Sequence, residues 1–142
     1  LASSAASDVY KRQQVNLEEQ YFKGGSKSDS GKNRIVPIHP RIMPFVKKRL
    51  EKSNEYFLEN DEGSKFKKWD FYEEWKVVIA YITKRKKTPH EARHTFETFL
   101  DNAGGNRKCI DMLMGHKSKD IGNRVYNHKT VKQLRETILL LK

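Results

Sequence analysis

Four side chains in the second half of the chain could together carry out phosphoryl transfer. His90 and Arg93 are three residues apart, a spacing that puts both on one edge of a helix. His116 follows Gly115, and Tyr126 comes ten residues after that histidine. Arginine binds phosphate oxygens bidentately, histidine transfers protons, and tyrosine can act as a covalent nucleophile. Each residue alone also fits a structural role on a helix surface or at a helix end, so the hypothesis depends on the combination.

The segment from His90 to His94 also matches HExxH, the motif of zinc hydrolases. In that motif two histidines four residues apart bind the metal, and the glutamate, here Glu91, activates water. Pro89 argues against a metal site, because it puts His90 in the first helical turn, whereas the motif lies inside a helix. The extended motif also needs a third histidine, and Leu100 occupies that position. A zinc hydrolase is therefore kept only as an alternative enzyme class.

An antiparallel hairpin is predicted near the start of the patterned sequence. Strand-forming residues between positions 15 and 22 precede a Gly/Ser-rich run at 24–31, which is followed by the β-branched run RIVPI at 34–38. Apolar β-formers separated by a Gly/Ser-rich run are typical of two strands joined by a loop. Pro37 cannot donate to a sheet ladder, so we expect its strand to lie at an edge.

The rest of the chain has the three- and four-residue apolar spacing of helices. Thr88 and Pro89 form a helix start signal, and Gly115 is a stop signal. The fold class is therefore α+β, mainly helical, with a small antiparallel hairpin or sheet near the N-terminus. The apolar positions of the successive helices are Ile42, Phe45, Val46, Leu50 and Phe57; Phe71, Tyr72, Trp75, Val78, Ile79 and Ile82; Ala92, Phe96, Phe99, Leu100 and Ala103; Ile110, Leu113 and Met114; and Val131, Leu134, Ile138 and Leu141.

Composition restricts the class of protein further. The chain has 142 residues, a formal net charge of +11 and 36% hydrophobic residues, which suits one folded domain with a polyanionic partner. A single cysteine, Cys109, excludes a disulfide framework. No apolar run reaches the roughly 18 residues of a membrane helix, so no membrane partner is expected.

The order of these residues resembles the catalytic domain of tyrosine recombinases, the phage integrase family. Four motifs of that family are matched in order, by the loop lysine Lys27, by His90 and Arg93, by Met114, Gly115 and His116, and by the nucleophile Tyr126 with His128 two residues later. The resemblance spans residues 15–142. Two departures are Met114, where leucine is usual, and Gly122, where many members have threonine.

The resemblance also implies a domain organisation. Residues 1–13 lack periodicity and are interpreted as a non-native or disordered leader, and residues 14–142 as a partial C-terminal catalytic domain. The family's upstream arginine motif and its core-binding domain have no counterpart here. We therefore expect a domain truncated at its N-terminus that is poorly active on its own.

The mechanism implied by the family is cutting and rejoining of DNA through a 3′-phosphotyrosyl intermediate. In that scheme Tyr126 attacks the phosphodiester, His90 is the base or its helper, and Arg93 binds the non-bridging oxygens. His116 adds a hydrogen bond, and Lys27 protonates the leaving 5′-oxygen. No cofactor and no metal are needed.

Double-stranded DNA is the expected partner, in a cytoplasmic, nucleoid-associated protein of a bacterium, phage or mobile element. The family also implies a tetramer on DNA, assembled through the C-terminal helix 130–142, although that helix could equally fold back onto its own core. A non-catalytic DNA-binding remnant of a recombinase is the second alternative. The residues expected to contact DNA are Lys84, Arg85, Lys86, Lys87, His94 and Arg124.

Overall fold

The computed structural model describes residues 11–24, 34–116 and 130–142. Its sheet has three antiparallel strands in the order β1 (Val15–Asn16), β2 (Tyr21–Gly24) and β3 (Arg34–Pro37). Strands β2 and β3 pair with Phe22 opposite Val36, so the predicted hairpin is confirmed. Because β3 is an outer strand of this sheet, the expected edge position of Pro37 is confirmed as well.

The first arm of the hairpin differs from the prediction of one strand. A turn at residues 17–20 divides it into β1 and β2, which pair with each other. The side chain of Asn16 accepts a hydrogen bond from the Glu19 amide at 2.8 Å, and Gln20 has a φ of 55°. Asparagine favours such turns because its side chain replaces a backbone acceptor, and this local signal outweighs the strand propensity of the neighbouring residues.

Five α-helices lie in the described part of the chain, which confirms the mainly helical α+β class. None of them is long and apolar enough to cross a membrane. Their bounds are α1 Met43–Lys52, α2 Lys68–Ile82, α3 Pro89–Asn102, α4 Arg107–Met114 and α5 Val131–Ile138.

The core lies where α4 and α5 pack on β3. Ile110 on α4 and Leu134 and Ile138 on α5 are fully buried there, together with Val36 of β3. His39 lies within 3.0 Å of the Leu141 carbonyl oxygen, which fixes the chain end beside the sheet. The apolar side of α5 therefore faces the protein's own core.

Several residues of the predicted apolar stripes are not buried. Phe45 on α1 is 72% exposed and Phe99 on α3 is 60% exposed. Phe57 lies beyond the end of α1 and packs against Phe22, with ring centroids 5.5 Å apart. Helix α2 has no buried residue at all among those described. The predicted helices are confirmed, but Phe57 was wrongly assigned to the first of them, and helical spacing does not determine whether another element covers each stripe.

Residues 11–13, assigned to the predicted leader, contact the segment after α1. The Arg12 amide donates to the Glu55 carbonyl at 2.8 Å, and its guanidinium donates to the Ser53 carbonyl at 2.5 Å. Lys11 forms an ion pair with Glu55. Residues 1–10 lie outside the described residues, so a leader there stays a prediction.

Candidate active site

Helix α3 begins where the sequence predicted. The Thr88 hydroxyl accepts a hydrogen bond from the Glu91 amide at 3.2 Å, and the Glu91 carboxylate accepts one from the Thr88 amide at 2.7 Å. This reciprocal capping box, with Pro89 in the first turn, fixes the direction of the helix that carries His90 and Arg93. The hydrogen bond from Lys87, followed by those from Thr88, lowers the pKa of Glu91 to about 2.

The same capping box weighs against the zinc-hydrolase alternative. In HExxH enzymes the glutamate must face a metal-bound water as its base. Here both oxygens of Glu91 are occupied, one by Lys87 and the other by Thr88. Glu91 therefore caps the helix N-terminus, and its carboxylate is not available to activate a metal-bound water as the zinc-hydrolase alternative requires.

His90 and His94 lie side by side one helical turn apart. Their Nε2 atoms are 3.0 Å apart, and the two rings stand edge to face with centroids separated by 4.5 Å. A hydrogen bond of this kind needs a proton on one nitrogen and a lone pair on the other. The two imidazoles therefore lie within hydrogen-bond distance, and His94 limits the orientations open to His90.

Arg93 reaches from α3 to the end of α4. Its Nη2 donates a hydrogen bond to the Met114 carbonyl oxygen. Burial lowers the pKa of Arg93, and the positive charge of Arg34 lowers it further, while Glu97 opposes both effects. The guanidinium remains charged, and it is half-buried at the junction of two helices rather than free on the surface.

His116 is held at the end of α4 by a left-handed turn. Gly115 has a φ of 68°, and its amide donates to the Met112 carbonyl at 3.1 Å. The His116 amide donates to the Asp111 carbonyl at 2.9 Å, which closes the helix with a pattern typical of a glycine C-cap. Because Arg93 binds the Met114 carbonyl, the structure brings Arg93 and the turn before His116 together.

A charged cluster surrounds this turn. Arg107 lies 2.5 Å from Glu97 and 3.0 Å from Asp111, and the His116 Nδ1 lies 3.7 Å from Asp111. Burial raises the pKa of Glu97, but the Arg107 hydrogen bond and the charge of His116 outweigh it, so the net pKa is lowered. The hydrogen bond to Glu97 in turn raises the pKa of Arg107.

The cluster also includes the one group of three metal-type ligands in the described ranges. The ligand atoms of Glu97, Asp111 and His116 lie within 4.8 Å of one another. Arg107 pairs with both carboxylates, so its positive charge already occupies the position that a cation would take. The group includes neither His90 nor His94, and it therefore does not supply the missing third ligand of an HExxH site.

Four site residues escaped the sequence analysis in any functional role. Arg34, Glu97, Arg107 and Asp111 make the contacts that surround Arg93 and His116. The (i, i+4) spacing of Arg107 and Asp111 on a helix could have indicated their ion pair. Arg34 lies 80 residues from Met114, and nothing in a single sequence indicates that contact.

The basic run before α3 leads directly into this site. Lys84, Arg85, Lys86 and Lys87 are all exposed, and Lys87 also pairs with Glu91 at 2.8 Å. The Trp75 indole donates to the Lys87 carbonyl at 2.6 Å and ties the run to α2. All four predicted DNA-contacting residues in the run are thus presented to solvent.

Three predicted site residues fall outside the described residues. They are Lys27 of the hairpin loop, Arg124, and the nucleophile Tyr126. The described part of the predicted site therefore consists of His90, Arg93 and His116 with the neighbouring His94.

Comparison with known proteins identifies the family. The model of the phage integrase family matches residues 9–133. Tyrosine recombinase XerA of Pyrococcus horikoshii is 30% identical over 136 residues, and XerA of Pyrococcus furiosus is 28% identical over 136 residues. In both cases the match covers 90% of this chain and 46% of the relative. Tyrosine recombinase XerD of Vibrio cholerae is 26% identical over 117 residues, or 75% of this chain and 38% of the relative.

The chain thus belongs to the phage integrase family. It spans about half the length of the curated XerA relatives that it matches. No solved structure gives a significant match to it. The resemblance stated from the motifs alone is confirmed at the level of the family.

Proposed function

We propose that this chain is the catalytic domain of a site-specific DNA recombinase, which cuts and rejoins DNA through a 3′-phosphotyrosyl intermediate. The observation that carries the proposal is the junction between α3 and α4. There the Arg93 guanidinium binds the carbonyl next to Gly115, so the His-x-x-Arg edge meets the turn that presents His116. A half-buried arginine beside two histidine-bearing segments is suited to hold a phosphate while protons move.

The proposed cleavage step is an in-line displacement at phosphorus. The Tyr126 oxygen forms a bond to phosphorus, the bond to the 5′-oxygen breaks, and no external energy source is needed. The ordinary pKa of a phenol is near 10, so its proton must leave as the bond forms, with His90 as the base or its helper. Lys27 gives a proton to the departing 5′-oxygen. Arg93 and His116 stabilise the charge that develops on the non-bridging oxygens.

The contact between His90 and His94 supports this assignment, because it orients the His90 ring at the edge of α3 that also carries Arg93. Glu97 lies one turn further along α3, and its negative charge acts on His94 and on His116. His94 on α3 and His116 after α4 therefore interact electrostatically with the same carboxylate.

DNA binding is proposed to rest on phosphate contacts from the basic run Lys84, Arg85, Lys86 and Lys87, together with His94 and Arg124. Each phosphate neutralised by a lysine or arginine releases counterions, so the affinity falls steeply as salt rises. The exposed basic run immediately precedes the capped start of α3, which supports an approach of the DNA backbone from this side.

The proposed tetramer contact is smaller than the whole C-terminal helix 130–142 that the sequence analysis suggested. The apolar side of α5 packs in the protein's own core, so it is not available to a neighbouring subunit. Leu139 and Leu140, just beyond α5, remain exposed and are the proposed contact for a tetramer on DNA. The proposed place of action is the cytoplasm, with the nucleoid.

The experiment that tests the function is trapping of the covalent intermediate. The chain is incubated with a nicked suicide duplex whose cleaved 5′ fragment dissociates, and the products are separated under denaturing conditions. We expect a protein–DNA adduct that forms with the unsubstituted chain and is absent with Tyr126→Phe.

Two outcomes would count against the proposal. Salt-sensitive DNA binding without an adduct would favour the non-catalytic remnant. An adduct that persists in Tyr126→Phe would assign the nucleophile elsewhere. Tyr72→Phe is the matched control, because Tyr72 is an exposed tyrosine in the first half of α2, whereas the basic run 84–87 follows the end of that helix, and the substitution should leave the adduct unchanged.

A further inference from the structure

Arg34 makes a long-range contact with the proposed active site. It is the first residue of β3, and its Nη1 donates to the Met114 carbonyl oxygen at 3.1 Å. Arg93 donates to the same oxygen from α3. One backbone carbonyl at the end of α4 therefore receives two guanidinium groups, one from the sheet and one from a helix.

The Arg34 side chain lies directly against the turn at the end of α4. A Cβ added to Gly115 would lie 2.6 Å from the Arg34 Nη1, so the end of this flexible side chain would have to shift. Gly115 also needs its left-handed φ of 68°, which disfavours any residue with a Cβ. The glycine before His116 thus closes the helix in a conformation that favours glycine, and the Arg34 guanidinium packs beside it.

The contact brings two positive charges together in a half-buried place. Arg34 repels Arg93 and contributes to lowering the pKa of Arg93. Carbonyls at a helix C-terminus carry partial negative charge and favour cations there, which offsets part of this repulsion. The arrangement is specific, because an ordinary surface arginine would move away from a like charge.

We propose that Arg34 is a positioning residue for the recombination chemistry proposed above. By holding the Met114 carbonyl from the side of β3, it fixes the point that Arg93 binds and the turn that presents His116. Arg34 acts through these two residues and need not touch the DNA. The inference rests on the proposed function, and it adds a residue that the four family motifs do not contain.

The first test separates positioning from DNA binding. Adduct formation on the suicide duplex is measured in single turnovers for Arg34→Met and Arg34→Lys. We expect Arg34→Met to lower the rate at saturating DNA by about 10- to 100-fold, the size of effect that misplaced catalytic groups produce. The DNA concentration for half-saturation should change by less than about threefold, because a positioning residue that does not touch the DNA leaves the binding of the DNA itself unchanged. Arg34→Lys, which keeps one donor, should recover part of the rate.

Arg12→Met is the matched control for this test. Arg12 also donates to a backbone carbonyl, that of Ser53 at the end of α1, but it lies just before β1, the strand at the opposite edge of the sheet from β3. Its rate should stay within about twofold of the unsubstituted chain, because distant surface changes have small effects. An unchanged rate in Arg34→Met, or a fall matched by Arg12→Met, would overturn the inference.

A second measurement needs no catalysis and so separates the two proposals. The imidazole proton signals of His116 and His39 are recorded by NMR in the unsubstituted chain and in Arg34→Met. We expect the His116 signal to shift and the His39 signal, which reports on the contact with Leu141, to stay. If neither moves, or both move together, the positioning role is wrong, whatever the outcome of the adduct experiment.

Discussion

Helices α4 and α2 have similar apolar spacing, yet they bury their apolar residues to opposite extents. On α4, Ile110, Leu113 and Met114 are all buried against β3 and α5. On α2, which is nearly twice as long, Val78 and Ile82 are exposed and Tyr81 is 88% exposed. The difference is that α4 lies between other elements, whereas the outer side of α2 meets none of the described residues.

The two helices also differ in how they contact the proposed site. The end of α4 carries the carbonyl that Arg93 and Arg34 bind, so its position must be fixed by packing. Helix α2 is tied to the site through the hydrogen bond from Trp75 to the Lys87 carbonyl and through the basic run that follows the helix. A site held within fractions of an ångström needs rigid supporting elements, and α4 is such an element while α2 is not.

The largest expected effect comes from breaking the packing of α4. Ile110→Ala removes a fully buried side chain and leaves a cavity, so we expect a loss of about 2–5 kcal/mol in the free energy of unfolding. Denaturant unfolding followed by circular dichroism measures it. Val77→Ala on α2 is the control, and a loss as large as that of Ile110→Ala would show that α2 is packed after all.

A smaller effect is expected at the charged cluster beside α4. Arg107→Met removes the hydrogen bond and the charge that lower the pKa of Glu97, while the burial that raises it remains. The pKa of Glu97 should therefore rise, as a carbon-13 NMR titration of its carboxyl would report. The free energy of unfolding at neutral pH should fall by less than about 1 kcal/mol, as for other exposed ion pairs.

The sign of the pH dependence of folding stability follows from the lowered pKa of Glu97. A carboxyl whose pKa is lower in the folded state stabilises the fold above its unfolded pKa, and this contribution is lost as pH falls through the folded value. Acidification from neutral pH should therefore destabilise the unsubstituted chain more than Arg107→Met. Equal acid sensitivity in the two proteins would contradict a lowered pKa at Glu97.

Local signals predicted much of the fold and part of the site. Thr88 with Pro89 marked the start of α3, and Gly115 marked the end of α4, because caps depend on neighbouring residues only. The position of Phe57 was wrong, since a helical spacing continued past the end of α1 to a residue that packs on Phe22 instead. The contact of Arg34 with Met114 joins residues 80 apart, and no local rule reaches that far.

The smallest effect is expected for substitutions on the outer side of α2, which test the exposed helix of the comparison with α4. Tyr81→Ser and Ile82→Ser replace exposed apolar groups, so each should change the free energy of unfolding by no more than about 0.5 kcal/mol. The same unfolding assay measures them beside Ile110→Ala. A loss of several kcal/mol would mean that another surface covers the outer side of α2 in solution. The two helices would then both be buried and would differ only in what covers them.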